Sequence, residues 1–406
     1  MRTSILLLIF AAACRGNAPA PPPPTPTPVA ALSPDDAALG RRVDAVIDKA
    51  IADGSVVGTV VLVARDGELV YHRAAGLADR EARTPMRENT VFRLASMTKA
   101  IVSVAALALV DQGKLRLDDP VTKYLPAFRP KLADGREPVI TVEHLLTHTS
   151  GLTYKFIEKA DGPYHKANVS DGLAEPGLGM EENLERLASV PLLFEPGTKW
   201  NYGLSVDVLG AVVAVAGGGT LADVVRKTVT APLNMTDTVF TVTDRERLAS
   251  PYGRGTPPAR MTEPYDLAAD GMAVRFSPAR IFDPKSFPSG GAGMAGTASD
   301  YLRFVEAVRT GGAPILRAET ARAMTQNQLS EGLALGPGFG FGLGVGVVVD
   351  PAAAKSKQGP NTWSWAGIYG TSFWVDPSAK LSVIVMTNSA MADAFPPAIE
   401  AAVWPK

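Results

Sequence analysis

The chain reads as α+β: an antiparallel sheet flanked by terminal helices, with a mainly helical region inserted between its halves. Three observations predict this. β-rich segments separated by turn residues lie near both ends, over 59–74 and 371–387. Apolar residues at helical spacing bracket them, over 35–52 and about 393–403. The stretch between, about 117–288, has few strand-like alternations but several helical patches. Hydrophobic residues make 46% of the 406 and charged residues 20%, enough core to exclude wholesale disorder. Lys plus Arg is 40 and Asp plus Glu is 41, so no basic excess exists to hold a nucleic-acid backbone.

Taken in order, the N-terminus is an address. Met1-Arg2 supplies a positive charge and residues 5–13 are unbroken apolar. A helix needs ~20 residues to span a bilayer, so the run suits the h-region of a secretory signal over 1–13. Ala11-Ala12-Ala13 then precedes Cys14, the sole cysteine, a pattern that resembles a bacterial lipobox. Cys14 would then be the lipidated mature N-terminus; the alternative is ordinary cleavage near Ala13 with an idle thiol. One cysteine excludes an intramolecular disulfide and Cys-rich metal modules. Prolines crowd residues 19–28, which fixes φ and removes donors. Residues 14–33 therefore read as a lipid anchor and an extended, semi-rigid linker. The expected location is the cell envelope, facing the periplasm or the surface, or else the periplasm or medium.

The globular part follows. Leu39, Val43, Val46, Ile47 and Ile51 predict a helix over 35–52, capped by Ser33 or Asp35 and ended by Gly54. Arg65-Asp66-Gly67-Glu68 predicts the first hairpin and residues 376–380 the last. Helical patches stand at 142–148, 180–188, 206–216 and 221–230. Between them, 161–179 and 249–270 read as long Gly/Pro-rich loops, a length that usually builds sites or lids. The division is a sheet domain from 34–117 and 288–406, and a mainly helical domain over 118–287. Glycine alternates from 336 to 346 and feeds a β stretch rather than a helix, which predicts a strand with one bare face, not a phosphate loop.

Three segments carry chemistry. Ser96-Met97-Thr98-Lys99 opens a helix over 100–112 that is apolar nearly all round and therefore buried. Positions i and i+3 share a face, so Ser96 Oγ and Lys99 Nζ can meet at a helix N-terminus, where free N–H groups favour negative charge. Burial disfavours an ammonium ion, so the amine can take up a proton. The bland alternative is a capping serine and a surface lysine, and the apolar helix argues against it. Trp200-Asn201-Tyr202-Gly203 offers a tyrosine which, beside a cation, can act as a base without histidine; otherwise it is a core aromatic. Trp363-Ser364-Trp365-Ala366-Gly367-Ile368 places small residues beside a strand, where a substrate can lie against backbone amides, or where the chain merely turns.

Together these segments resemble the serine β-lactamase/penicillin-binding-protein superfamily, closest to class C β-lactamases and family VIII carboxylesterases. Residues 91–96, 145–152, 202–210, 290–294 and 373–377 carry the same resemblance, in order, from about Asp35 to the C-terminus. It implies a β-lactamase/transpeptidase-like fold and an acyl-enzyme on Ser96, with Lys99 as proton partner and Tyr202 as general base. The backbone N–H groups of Ser96 and Ile368 would form the oxyanion hole, with Trp365 and Gly367 beside the substrate. Position 204 is Leu where the lactamases have Asn, and Trp365-Ala366-Gly367 replaces Lys-Thr-Gly. Both departures favour the esterase branch, although Gly203 stands where that branch has Ser.

The implied function is hydrolysis of short-chain carboxylic esters. The alternatives are a class C-like β-lactamase or D-Ala-D-Ala carboxypeptidase, with a β-lactam or peptidoglycan peptide as partner, and a non-catalytic peptidoglycan-binding protein. Neither a cofactor nor a metal is expected. His144 and His148 stand i,i+4 but lack the Glu of H-E-x-x-H and a third ligand, so they read as structural. G-x-S-x-G is absent, which argues against an α/β-hydrolase.

Overall fold

The computed structural model describes residues 33–404 except 270 and 393. The expected signal, Cys14 and the expected linker up to residue 32 lie outside the described residues. Strands in chain order are β1 (Gly58–Arg65), β2 (Glu68–Asp79), β3 (Thr84–Pro85), β4 (Phe92–Arg93), β5 (Tyr265–Ala269), β6 (Met272–Phe276), β7 (Ala295–Gly296), β8 (Phe339–Phe341), β9 (Gly346–Val348), β10 (Trp363–Gly367), β11 (Thr371–Asp376) and β12 (Leu381–Thr387). The helices are α1 (Pro34–Ala52), α2 (Thr98–Asp111), α3 (Val142–Leu146), α4 (Pro163–Lys166), α5 (Met180–Ala188), α6 (Ser205–Gly217), α7 (Leu221–Val225), α8 (Ala298–Arg309), α9 (Ala318–Met324) and α10 (Phe395–Val403).

One eight-stranded sheet, ordered β3-β2-β1-β12-β11-β10-β9-β8, joins the two ends of the chain. The two chain ends meet where β1 pairs antiparallel with β12, in register from Thr59–Thr387 to Arg65–Leu381. β1 is apolar at successive positions because both of its faces are buried. Val61 and Val63 pack with Val383 and Val385 under α1 and α10. Val60 and Leu62 point the other way, into a larger core with α8 residues Tyr301 and Phe304 and the apolar residues of α2. That core continues without a break into α3, α6 and α7.

Local chemistry explains the element ends. Ser33 Oγ accepts from Asp36 N–H at 3.1 Å, and Pro34 occupies the first turn of α1. Asp66 and Gly67, both at positive φ, form the two-residue turn between β1 and β2. At the other hairpin, the Asp376 carboxylate accepts from Ser378 and Ala379 N–H groups.

Three expectations are corrected. The segment expected as a loop over 249–270 runs into a hairpin, β5–β6, because Leu267, Val274 and Phe276 bury one face of two short strands. The glycine alternation is a hairpin, β8–β9, rather than one strand: Gly344 at φ +101 turns the chain. Its bare face is filled from outside, since a Cβ on Gly340 or Gly342 would lie 2.2 Å from Asn327 Oδ1 or 2.1 Å from Met324 O. The buried helix begins at Thr98 rather than at Ala100, and a 3₁₀ turn, Ala95–Met97, leads into it.

Candidate active site

Ser96 sits on that 3₁₀ turn, held from several sides. Ala95 before it has φ +45, a left-handed conformation that costs a residue with a Cβ energy and is kept by what surrounds it. Tyr301 Oη donates to Met97 O at 3.0 Å, and Met294 N–H donates to Thr98 Oγ1 at 3.1 Å. The β10–β11 hairpin packs directly on Leu94, between β4 and the 3₁₀ turn: Thr371 Oγ1 donates to Leu94 O at 3.1 Å. Gly367 permits this approach, since a Cβ there would lie 2.2 Å from the same carbonyl oxygen.

Lys99 follows on α2, fully buried. Its Nζ donates to Ser96 Oγ at 3.2 Å and to Gly291 O at 2.8 Å. The rings of Tyr202 and Tyr154 lie 4.7 and 5.2 Å from the same nitrogen, so two π faces help to replace its lost water. Tyr202 Oη donates to Ser96 Oγ at 2.7 Å from the loop before α6. His148, itself at φ +56, anchors that loop: its carbonyl accepts from Asn201 N–H at 3.0 Å and its Nδ1 from Gly203 N–H. Burial and the nearby Lys99 hold the His148 imidazole well below its ordinary range, so it stays neutral.

A cavity of about 310 Å³ opens over Ser96. Phe156, Leu173, Met272, Trp365 and Ile368 make its wall mostly apolar, and Ile157 lies at its edge, 44% exposed. Trp365 stands 5.4 Å from the Tyr202 ring and 5.3 Å from Phe341. Among the described residues, the lining carries one charged side chain, Asp171, and no cation. Burial pushes the Asp171 carboxyl up to about 7, against the opposing pull of the Lys155 and Phe156 N–H groups it accepts from.

The structure therefore brings Ser96, Lys99, Tyr202, Trp365 and Ile368 together, while Gly367 shapes the site from behind rather than lining it. Leu204 is buried in the core and is not part of the cavity wall, so that departure from the lactamase pattern removes no pocket group. The imidazoles of His144 and His148 both hold backbone rather than a metal: His144 Nδ1 accepts from Thr141 N–H at 3.2 Å, closing a capping box on α3, and His148 Nδ1 accepts from Gly203 N–H. Sequence reasoning missed Tyr154, Asp171 and Met272. Tyr154 follows the 145–152 segment, and Asp171 lies in one of the two long connections, 161–179. Burial, then Tyr202 and Asp207, hold the Tyr154 phenol well above its ordinary range. Of the two tyrosines beside Lys99, only Tyr202 bonds Ser96. A serine hydroxyl bonded at once to an amine and a phenol, under an apolar cavity, is a geometry suited to acyl transfer.

The Beta-lactamase family model matches residues 43–402. The chain belongs to the beta-lactamase family. It is 48% identical over 367 residues to the esterase EstB of Burkholderia gladioli, covering 89% of this chain and 93% of that one. It is 31% identical over 314 residues to the acyltransferase calJ of Penicillium decumbens, covering 71% and 70% of the two chains. Among solved structures it is similar to EstCE1, described as a hydrolase with promiscuous acyltransferase activity, with TM-score 0.89, 41% identity, and 92% and 100% of the two chains covered. The α+β fold is that of this family.

Proposed function

We propose that the chain hydrolyses short-chain carboxylic esters through an acyl-enzyme on Ser96. That it is a serine hydrolase of the β-lactamase family rests on the family match and the identity to an esterase. The ester class rests on one observation: the cavity over Ser96 is apolar, holds a carboxyl group and offers no cation. In this reading Tyr202, held as a phenolate by the Lys99 cation, takes the Ser96 proton on Oη as Ser96 Oγ attacks the ester carbonyl. The N–H groups of Ser96 and Ile368 receive the developing oxyanion. The alcohol leaves with the proton, and water then releases the acid from serine.

β-Lactams and D-Ala-D-Ala peptides carry a carboxylate. A charge-assisted hydrogen bond to it is worth ~1.5–3 kcal/mol, so a wall without a cation implies roughly ten- to a hundredfold weaker recognition. The test is the ratio of kcat/KM for nitrophenyl butyrate to that for a chromogenic cephalosporin. A ratio well above one is expected, and one below unity overturns the ester reading in favour of a β-lactamase. A fluorophosphonate probe should label Ser96; a binding protein without catalysis would stay unlabelled.

For location, we infer an exported protein held at the cell envelope by lipid on Cys14. The support is the apolar run over 5–13, the Ala11–Ala13 segment and the proline-rich spacer. Cys14→Ser should abolish palmitate incorporation and release the protein from membranes. Persistent labelling would contradict the lipid anchor.

A further inference from the structure

Behind the wall of the active-site cavity lies a second, smaller one, lined by Arg93, Ser277, Arg280 and Tyr369 among others. It shares Leu173 and Ala292 with the cavity over Ser96. Arg93 is 9% exposed, Arg280 8% and Ser277 4%, so two guanidinium charges are taken out of water together. Among the described residues neither is paired with a carboxylate. Arg93 donates only to the carbonyls of Ala249 and Pro278, at 3.0 and 2.6 Å. Arg280 donates only to those of Ala174 and Phe287, at 3.1 and 2.7 Å. Carbonyl dipoles orient a guanidinium but leave its charge uncancelled. Glu263 is felt by Arg93, and Asp207, Glu175 and Asp283 by Arg280, but only at longer range.

Two polar atoms at this cavity are also left over. Arg93 Nε and Ser277 Oγ are buried without a hydrogen-bond partner. A positively charged donor and a hydroxyl, both unspent, are what an anion requires and what an apolar filler would waste. Tyr369 adds a phenol that burial pushes up to about 12 and so keeps neutral. The space, about 20 Å³, admits roughly one water-sized particle, which excludes phosphate or an organic acid.

We propose that this cavity is a binding site for a small monovalent anion, chloride, held by Arg93 and Ser277 and balanced by Arg280. The occupied site braces the wall shared with the active-site cavity and the residue after Ile368. It is independent of the reaction proposed for Ser96.

The test is thermal unfolding of the full chain in chloride or bromide against gluconate at equal ionic strength. A ligand that binds only the folded state stabilises it in a saturable way, so halides should raise Tm by about 2–5 °C and gluconate should not. Ser277→Ala should shift the halide midpoint upward several-fold, and Arg93→Gln should abolish the dependence. If Arg93→Gln does not fold, bromide decides: crystals grown in it should show an anomalous peak within bonding distance of Arg93 Nε and Ser277 Oγ. Equal Tm in halide and gluconate, an unchanged midpoint in Ser277→Ala, or bromide bound only at the surface would overturn the proposal.

Discussion

Two tyrosines lie close to Lys99 Nζ, and their different bonding makes them separable by experiment. Tyr202 Oη reaches Ser96 Oγ at 2.7 Å, whereas the Tyr154 ring stands against the lysine with a phenol held neutral by burial. Tyr202→Phe and Lys99→Ala should each lower kcat by roughly 10²-fold or more, and Ser96→Ala should remove nearly all turnover. Tyr154→Phe should stay within roughly tenfold of the parent, because it breaks no bond to the nucleophile. A loss in Tyr154→Phe equal to that in Tyr202→Phe would move the base.

Asp171 supplies a pH signature. Its folded value of about 7 lies above its ordinary 3.8, so the folded state holds a proton that the unfolded chain has lost. Stability from this group is therefore fully present below about 3.8 and is lost as pH rises from there through about 7. The same ionisation places an anion in the cavity wall. KM for a carboxylate-bearing ester should rise several-fold from about pH 6 to 8 while that of a neutral ester stays level, and Asp171→Asn should flatten the difference. A level KM for both esters in the parent would show that Asp171 does not face the substrate. At this scale the sequence displayed Ser96, Lys99 and Tyr202, because their chemistry is tied to short motifs. Asp171 and Tyr154 were illegible because their roles come from burial and from neighbours far away in the chain.

At the scale of elements, the end of β10 that leads into the β10–β11 turn has little tolerance. A methyl group at Gly367 would lie 2.2 Å from Leu94 O, a backbone atom with no room to yield locally. Gly367→Ala should push the β10 edge away from the segment entering Ser96. Activity should drop at least tenfold in protein that still unfolds in one step; unchanged kcat/KM would show that the edge does not align the site. The same element shows what local reading captures. The hairpins around Asp66-Gly67 and Asp376 were legible because their turn residues have specific backbone reasons. The β5–β6 hairpin was missed because its strands are only five residues each and half exposed, too short for alternation to stand out. That omission mattered, since β6 carries Met272 into the cavity wall. The β8–β9 glycines misled in a different way: their bare face is set by Asn327, Met324 and Ser103, which no local pattern reveals.

Across the whole molecule, chemistry and stability are divided by the sheet. Ser96, Lys99 and Tyr202 belong to the side built on α2, whereas α1 and α10 close the opposite face with a separate apolar layer. The joining of the two chain ends was legible, since each end carries its own hairpin and helix. That two cores lie back to back was not, because strands apolar on both faces do not say which residue faces which layer. Ile399 of α10 tests the division, being fully buried against Val61, Val383 and Val385 in the layer away from the site. Ile399→Ala removes three carbons from a packed layer and should cost about 2–5 kcal/mol, read as a lower Tm or denaturant midpoint. Well below the transition, kcat and KM for nitrophenyl butyrate should match the parent. β12 is shared by both layers, so the variant should still unfold in a single transition. Two separate transitions, or an early loss of kcat at temperatures where the fold is intact, would mean that the two layers are not coupled as the shared β1–β12 pairing requires.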